Sequence, residues 1–502
     1  MVGAGPGDPG LITVAGLHAL RTAEVVVFDA LANPELLNEV PEGTEKVDCG
    51  KRAKDHTLTQ DEINALLVEK AQGGKHVVRL KGGDPYLFGR GAEEAAYCAA
   101  RGVACVIIPG ITSGLAAPAA AGIPVTHRKI ASTVTLVTGH EDPTKENTAV
   151  DYEGLARLIA VGGTVSFYMG AARLGAIAAA LMAKGLKPET PAALVQWGTR
   201  PNQKSVKGTL TTLEARVKEA GLGSPAIITV GEVCAVDEPG LDGFTSRPLF
   251  GQRVLVTRTR QQASELAVQL AEMGAAVLEA PTIELVAPDS FASLDDGLRR
   301  IGGHDWLLLT SINAVRALGA RMEALGMDAR ALAGVRIACV GESTASALRA
   351  DLGLRADLVP TRATAEALAD TLIEQEEATG KTFFLPQADI GRPLLEDRLR
   401  AAGAQVNRVT VYETRCVAAL PEETLAALRS GAVDWVTFTS SSTARNLVSL
   451  LGAESVLLRR CKLASIGPET TKALLEAGFT PDCEAEQPGV DGLLKALLAA
   501  QG

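Results

Sequence analysis

With 502 residues, 47% of them hydrophobic, the chain is long enough for several domains of about 150 residues each and has ample apolar content for buried cores. A formal net charge of −10 excludes a general nucleic-acid binder, whose phosphate contacts need a basic surface. The longest uncharged span, 103–126, is interrupted by Pro109, Pro118 and Pro124, which excludes a membrane helix, and no secretory h-region opens the chain. Eight cysteines, at 49, 98, 105, 234, 339, 416, 461 and 483, form no CxxC pair and sit mostly in apolar runs. They read as reduced core thiols of a cytoplasmic protein, with no metal cage.

The chain opens on GAGPGDPG at 3–10, where Gly5, Gly7 and Gly10 spell GxGxxG and Asp29 follows 19 residues later, as in a dinucleotide site of an NAD-dependent dehydrogenase. The residues between argue against that reading. Pro6 and Pro9 remove amide donors, and Asp8 puts negative charge where a pyrophosphate needs N–H groups. Only Met1 and Val2 precede the first glycine, too short for an ordinary strand, which implies a misplaced start or a truncation and a less stable region around Pro6. Segments 24–29, 76–80, 104–108, 134–138, 164–168 and 226–231 read as strands alternating with Ala- and Leu-rich helical patterns, hence α/β sheets.

Asp29 ends one apolar strand and Lys51 follows Gly50 at the end of another, where α/β sheets open their ligand crevice. LKGGDPYLFGRG at 80–91 reads as a ligand cradle, because Gly82 and Gly83 let the backbone turn and come close to a bound molecule. Taken alone, a GG pair is as readily turn chemistry, Asp29 a helix cap, Lys51 a surface residue and Met169 core packing. Two basic clusters, Lys51, Arg52, Lys54 and His56, and His127, Arg128 and Lys129, suit an anionic substrate or a solvated turn. The stretch 237–250, DEPGLDGFTSRPLF, lacks periodicity and reads as a linker.

The remainder repeats itself. Gly251 and Gly380, Gly274 and Gly403, Val277 and Val406, Asp305 and Asp434, Trp306 and Trp435, and Thr310 and Thr439 each lie 129 apart, while Gly341 and Gly467 lie 126 apart. Two similar α/β units facing each other across a cleft are expected.

The motifs GAGPGDPG, VVFDAL (26–31), DCGKRAKDH (48–56), GGDP, PGITSG (109–114), PVTHR (124–128), YMGA (168–171) and VQWGT (195–199), in that order over 1–236, resemble the tetrapyrrole methylases, and among them the uroporphyrinogen-III C-methyltransferases. The resemblance implies two α/β subdomains, about 1–110 and 111–236, and S-adenosylmethionine as methyl donor. It implies methylation of the macrocycle at C2 and C7 to precorrin-2, on the way to sirohaem or cobalamin, and a homodimer through this half. By motif it makes Asp29 the proton acceptor and Lys51 the proton donor. The cofactor residues become Pro6, Gly82, Gly83, Asp84, Leu87, Thr112, Ser113, Met169 and Gly198, with Arg52 on the substrate. The electrophile comes with the cofactor, so no metal is required.

VLVTRTR (254–260), LLLTSINAV (307–315), VGESTA (340–345), VTVYETR (409–415), FTSSST (438–443) and SIGPETT (465–471) resemble the uroporphyrinogen-III synthases more loosely. This implies a two-lobed α/β fold over 251–502, with 251–285 and 415–502 in one lobe and 286–414 in the other. It also implies closure of linear hydroxymethylbilane with inversion of its last ring. Tyr412 then assists loss of the hydroxyl, Thr470, Ser440, Ser441, Ser343 and Thr344 bind acid side chains, and Arg258 and Arg260 supply counter-charge. Because these marks are few, a non-catalytic or regulatory second half is the alternative.

Overall fold

The computed structural model describes residues 1–50, 58–140, 149–257, 260–375 and 378–501. The first sheet is parallel, in the order Val2–Gly3, Val77–Lys81, Val25–Phe28, Glu45–Asp48. The β-branched run Val25–Val27 is wholly buried at its centre, as a strand covered on both faces requires. Segment 104–108 does not form the expected strand. It meets the sheet through Gly3 N to Ile108 O (3.0 Å) and Ile108 N to Met1 O (2.8 Å), a single bridge at Val2. Its neighbour Val2–Gly3 is only two residues long, so no longer ladder can form.

A second, mixed sheet runs Thr133–Thr138, Gly163–Tyr168, Ala226–Val230, Pro191–Gln196, Lys204–Thr209. Its second strand, Gly163–Tyr168, is buried throughout. The stretch 237–250 has no regular structure, yet it is not a free tether. Leu249 is fully buried in a cluster with Val254, Leu266 and Trp435, and Phe244 packs edge-on to Phe250 at 5.7 Å.

Beyond it stand two five-stranded sheets. One is parallel: Ala276–Glu279, Arg253–Val256, Trp435–Phe438, Lys462–Ser465, Cys483–Glu484. The other is Ile283–Val286, Gln405–Cys416, Thr382–Ala388, Trp306–Leu309, Arg336–Cys339, with only Ile283–Val286 antiparallel to its neighbour. The expected lobe boundary after 285 cuts a strand. Ile283–Val286 belongs to the second of these sheets because it zips against Glu413–Cys416, so the chain crosses between sheets just before Ile283 and just after Cys416.

The 129-residue repeat is visible in hydrogen bonds. Asp305 takes the Thr382 amide on its carboxylate (2.8 Å) and gives its carbonyl to Arg336 N (3.0 Å). Asp434 does the same with Arg253 N (2.7 Å) and Lys462 N (2.8 Å). Trp306 and Trp435, next in sequence, lie under Arg336 and Lys462 at 4.1 and 5.1 Å. The repeats are nevertheless not the spatial units. Each sheet joins the first half of one repeat to the second half of the other.

Candidate active sites

In the first half, three glycine loops meet bare backbone to bare backbone. Gly83 N donates to Gly5 O (2.8 Å) and Gly5 N to Gly83 O (3.3 Å). A Cβ at Gly110 would stand 2.1 Å from Gly83 O, and one at Gly3 would stand 2.5 Å from Gly110 Cα. Gly83 itself sits at φ +67° with nothing within 4 Å of where a side chain would be, so this turn faces open space. Gly82 differs, because its Cβ would meet Leu31 Cβ at 2.8 Å. Asp84 is a strut whose two oxygens accept from Tyr86 N (2.8 Å) and Gly110 N (3.0 Å). The amides around Pro6 are engaged: Asp8 N donates to Thr199 Oγ1 (3.0 Å) and Gly10 N to Asp8 Oδ1 (2.8 Å). A pyrophosphate would find few of them free, against the dinucleotide reading.

The second sheet supplies the facing wall. Thr112 precedes helix Ser113–Ala120 but makes no cap bond to it; its hydroxyl meets the Tyr168 phenol at 2.5 Å instead. Met169 is half exposed at φ +55°, so it is not core packing. Gly198 is demanded by packing, since its Cβ would lie 2.3 Å from Ala117 Cβ. Leu87 packs on the cluster of Ile123 and Val195, and Phe88 stacks on Tyr168 at 5.0 Å. Among the described residues six non-glycines have positive φ, and five of them, Phe88, Arg90, Met169, Trp197 and Thr199, lie in these motif loops. Backbone strain so concentrated persists where the surroundings over-determine it, typically at ligand sites. Leu31, Tyr86, Phe88, Ile111 and Met169 add exposed apolar surface to the same loops.

Asp29 stands at the end of Val25–Phe28 and is not alone. Arg79 reaches its Oδ1 at 2.5 Å and Lys81 Nζ lies 3.9 Å from Oδ2. Behind them Glu94, fully buried, accepts from Lys81 (2.8 Å) and Gln60 (3.1 Å) and faces Arg79 Nε at 3.3 Å. Burial opposes the Glu94 charge, yet Arg79 and Lys81 hold its carboxyl below the usual range; the two carboxylates raise the Arg79 guanidinium against its own burial. The neighbouring Cys49 thiol is pushed up to about 11, chiefly by burial. Arg79, Lys81 and Glu94 escape sequence reasoning; the available signal is two cations inside the apolar run VVRLK. Lys51 and Arg52 lie outside the described residues.

In the second half Tyr412 and Ser311 meet at 3.4 Å in one sheet's domain, beside a groove of about 490 Å³ lined by Leu285, Phe291, Asn313 and Arg316. Ser440 and Thr470 belong to the other. Ser440 caps helix Ser441–Leu451 through Thr443 N (3.2 Å), Ser441 Oγ donates to Glu469 O (2.9 Å), and Thr470 is buried. Ser343 and Thr344 start helix Glu342–Leu352, with Thr344 buried. The Ser440 and Ser441 hydroxyls therefore have structural duties first. Arg258 lies outside the described residues, and only the backbone of Arg260 is described, at the start of helix Arg260–Glu272.

Among the described residues no group of three or more His, Cys, Asp or Glu could hold a metal ion, and no helix is long and apolar enough to cross a membrane. Two α/β halves, one with a glycine-lined crevice and one with paired sheets, define a two-part enzyme. Residues 1–214 match the Tetrapyrrole (Corrin/Porphyrin) Methylases and residues 264–495 match Uroporphyrinogen-III synthase HemD. The porphyrin biosynthesis protein HemD of Ruminiclostridium josui is 35% identical over 502 residues, covering 100% of this chain and 98% of that protein. The S-adenosyl-L-methionine-dependent uroporphyrinogen III methyltransferase of Methanosarcina barkeri is 49% identical over 46% of this chain and 90% of its own length. A crystal structure of uroporphyrin-III C-methyl transferase from Thermus thermophilus complexed with S-adenyl homocysteine covers 47% of this chain and 98% of its own at 35% identity, with a TM-score of 0.39. The chain belongs to both families: it is a tetrapyrrole methylase fused to a uroporphyrinogen-III synthase of the HemD type.

Proposed function

We propose that the chain performs two consecutive steps: closure of hydroxymethylbilane with inversion of ring D to uroporphyrinogen III, then S-adenosylmethionine-dependent methylation at C2 and C7 to precorrin-2. The observation that carries this is end-to-end correspondence with a porphyrin biosynthesis protein over 502 residues, both halves included. The crevice supports the first half's part, because the open turn at Gly83 and the exposed Met169 leave room for a ligand between the loops.

The cofactor supplies an electrophilic methyl. This chain's residues orient it and manage protons: Gly82, Gly83, Asp84, Leu87, Pro6, Thr112, Ser113, Met169 and Gly198 form its walls, some by contact and Gly82, Asp84 and Gly198 by holding the loops. Asp29, held by Arg79, accepts the proton lost from the macrocycle, Lys51 donates one, and Arg52 pairs with a substrate carboxylate. In the second half Tyr412 assists departure of the bilane hydroxyl, and Thr470, Ser440 and Arg258 bind substrate acids while the domain holds the reactive conformation. The assembly is a homodimer through the methylase half, and solution mass tests that separately. The eight cysteines, all free thiols, suit a reducing, cytoplasmic setting.

The alternative, a non-catalytic second half, draws support from the capping and burial of Ser440 and Thr470. Feeding the purified chain fresh hydroxymethylbilane with and without S-adenosylmethionine separates the two. Type III product alone, then dimethylated product with the donor, supports both activities. Type I product together with methylation of supplied uroporphyrinogen III rejects synthase activity.

A further inference from the structure

Strand Gly163–Tyr168 grips a single residue of the PGITSG loop from two sides. Ser166 Oγ, fully buried, donates to Gly114 O at 3.0 Å, and the Tyr168 phenol accepts from Gly114 N at 2.7 Å. The grip is close: a Cβ at Gly114 would lie 2.2 Å from the phenol oxygen. Helix Ser113–Ala120 begins here, and its N-cap residue Thr112 leaves the first-turn amides uncapped. Tyr168 takes that duty from another strand while also bonding Thr112 Oγ1 at 2.5 Å, and its ring carries Phe88 from the GGDP loop at 5.0 Å. The residue after it is Met169, whose φ of +55° aims the chain out of the sheet. One phenol thus joins loops 80–91, 109–114 and 168–171, drawn from both subdomains.

We propose that Tyr168 is a positioning residue for methyl-donor binding: its hydroxyl sets the place of Thr112 and Ser113, and its ring, through Phe88, the distance between the two walls of the crevice. This rests on the reading of that crevice as the S-adenosylmethionine site. Helix caps and buried acceptors normally act on stability alone. Here the capped turn is itself a wall of the proposed site, so the effect extends to affinity.

The test is titration of S-adenosylhomocysteine into the full chain by calorimetry, with steady-state methylation of uroporphyrinogen III alongside. Tyr168→Phe keeps the ring and its contact with Phe88 and removes only the hydroxyl. It is expected to weaken S-adenosylhomocysteine about tenfold and raise KM for the donor equally, with kcat at saturation and KM for the macrocycle within about twofold, the scale of one lost hydroxyl serving two partners. Ser166→Ala, which cannot touch a ligand, is expected to weaken binding in the same direction by about threefold. Unchanged affinity in folded Tyr168→Phe, with only a lower melting temperature, overturns the proposal. Should that variant not fold, unchanged affinity in Ser166→Ala overturns it. If the parent chain itself fails to bind S-adenosylhomocysteine, the crevice reading fails and not the grip.

Discussion

Arg79 holds Asp29 at 2.5 Å, with the arginine 4% and the aspartate 31% exposed, so one ion pair reaches from the buried core to the crevice. The carboxylate is thereby fixed in orientation with its second oxygen turned toward Lys81. Asp29→Asn keeps the shape and removes the carboxylate proposed as the base. Methylation is expected to fall by about 10²–10⁴-fold, while Glu94 still accepts from Lys81 and faces Arg79 in the core and the chain stays folded. Turnover measured beside a thermal melt checks both parts, and full activity would remove Asp29 from the mechanism.

Glu94→Gln attacks the same cluster from beneath. It leaves Arg79 and Lys81 buried with one carboxylate between them, and breaking a buried pair from one side costs about 3–5 kcal/mol. The pH dependence has a definite sign. The folded-state carboxyl lies below its model-compound value of 4.5, so its contribution is complete above that value and is lost as pH falls through the lower folded value. Melts across pH 3–7, roughly the carboxylate range, should show the parent losing stability on the acid side, with Glu94→Gln less stable near neutrality and flatter in acid. Parallel curves would mean that Glu94 does not titrate as inferred.

Gly110→Ala places a methyl within 2.1 Å of Gly83 O and 2.7 Å of Gly3 Cα, all of it backbone that has no rotamer to yield. The loops must part, at about 1–3 kcal/mol. Binding of S-adenosylhomocysteine should be lost with the spacing. Gly223→Ala, where nothing lies within 4 Å, is the matched control and should bind like the parent.

Tyr412→Phe removes one hydroxyl whose contact to Ser311 is a long 3.4 Å. Stability should change by less than about 0.5 kcal/mol, whereas bilane closure to the type III isomer should slow by about tenfold or more. Product isomers separated by chromatography provide the readout, and an unchanged rate makes Tyr412 a packing residue.

How much of this was legible in the sequence follows from range. Asp29, the GG turn and the Pro- and Gly-rich motifs are local and read directly, as does the DW repeat, because an aspartate before a buried tryptophan makes the same clamp wherever it recurs. Partners across long range do not read. Tyr168 looked like a strand end, and only the fold shows it capping a helix more than fifty residues earlier. Glu94 sits on a helix with Glu93, which is exposed and pairs with Arg90, and nothing in the EE pair tells which carboxylate turns inward. Segment 104–108 has strand chemistry but faces too short a neighbour.

The repeat is the sharpest instance, since an offset of 129 identifies equivalent elements without saying which ones become neighbours. Asp434 N and carboxylate engage Arg253, 181 positions away, while the equivalent Asp305 engages Thr382, 77 away. Each sheet is therefore tied across the repeat boundary. Asp434→Ala should cost about 1–3 kcal/mol, and hydrogen exchange should quicken in Arg253–Val256 and Ala276–Glu279 while Trp306–Leu309 and Thr382–Ala388 stay protected. Asp305→Ala should reverse the pattern. Had the sequence repeats been the folding units, Asp434→Ala would instead loosen Thr382–Ala388 and spare Arg253–Val256, so exchange mapped by peptide mass decides between the two arrangements.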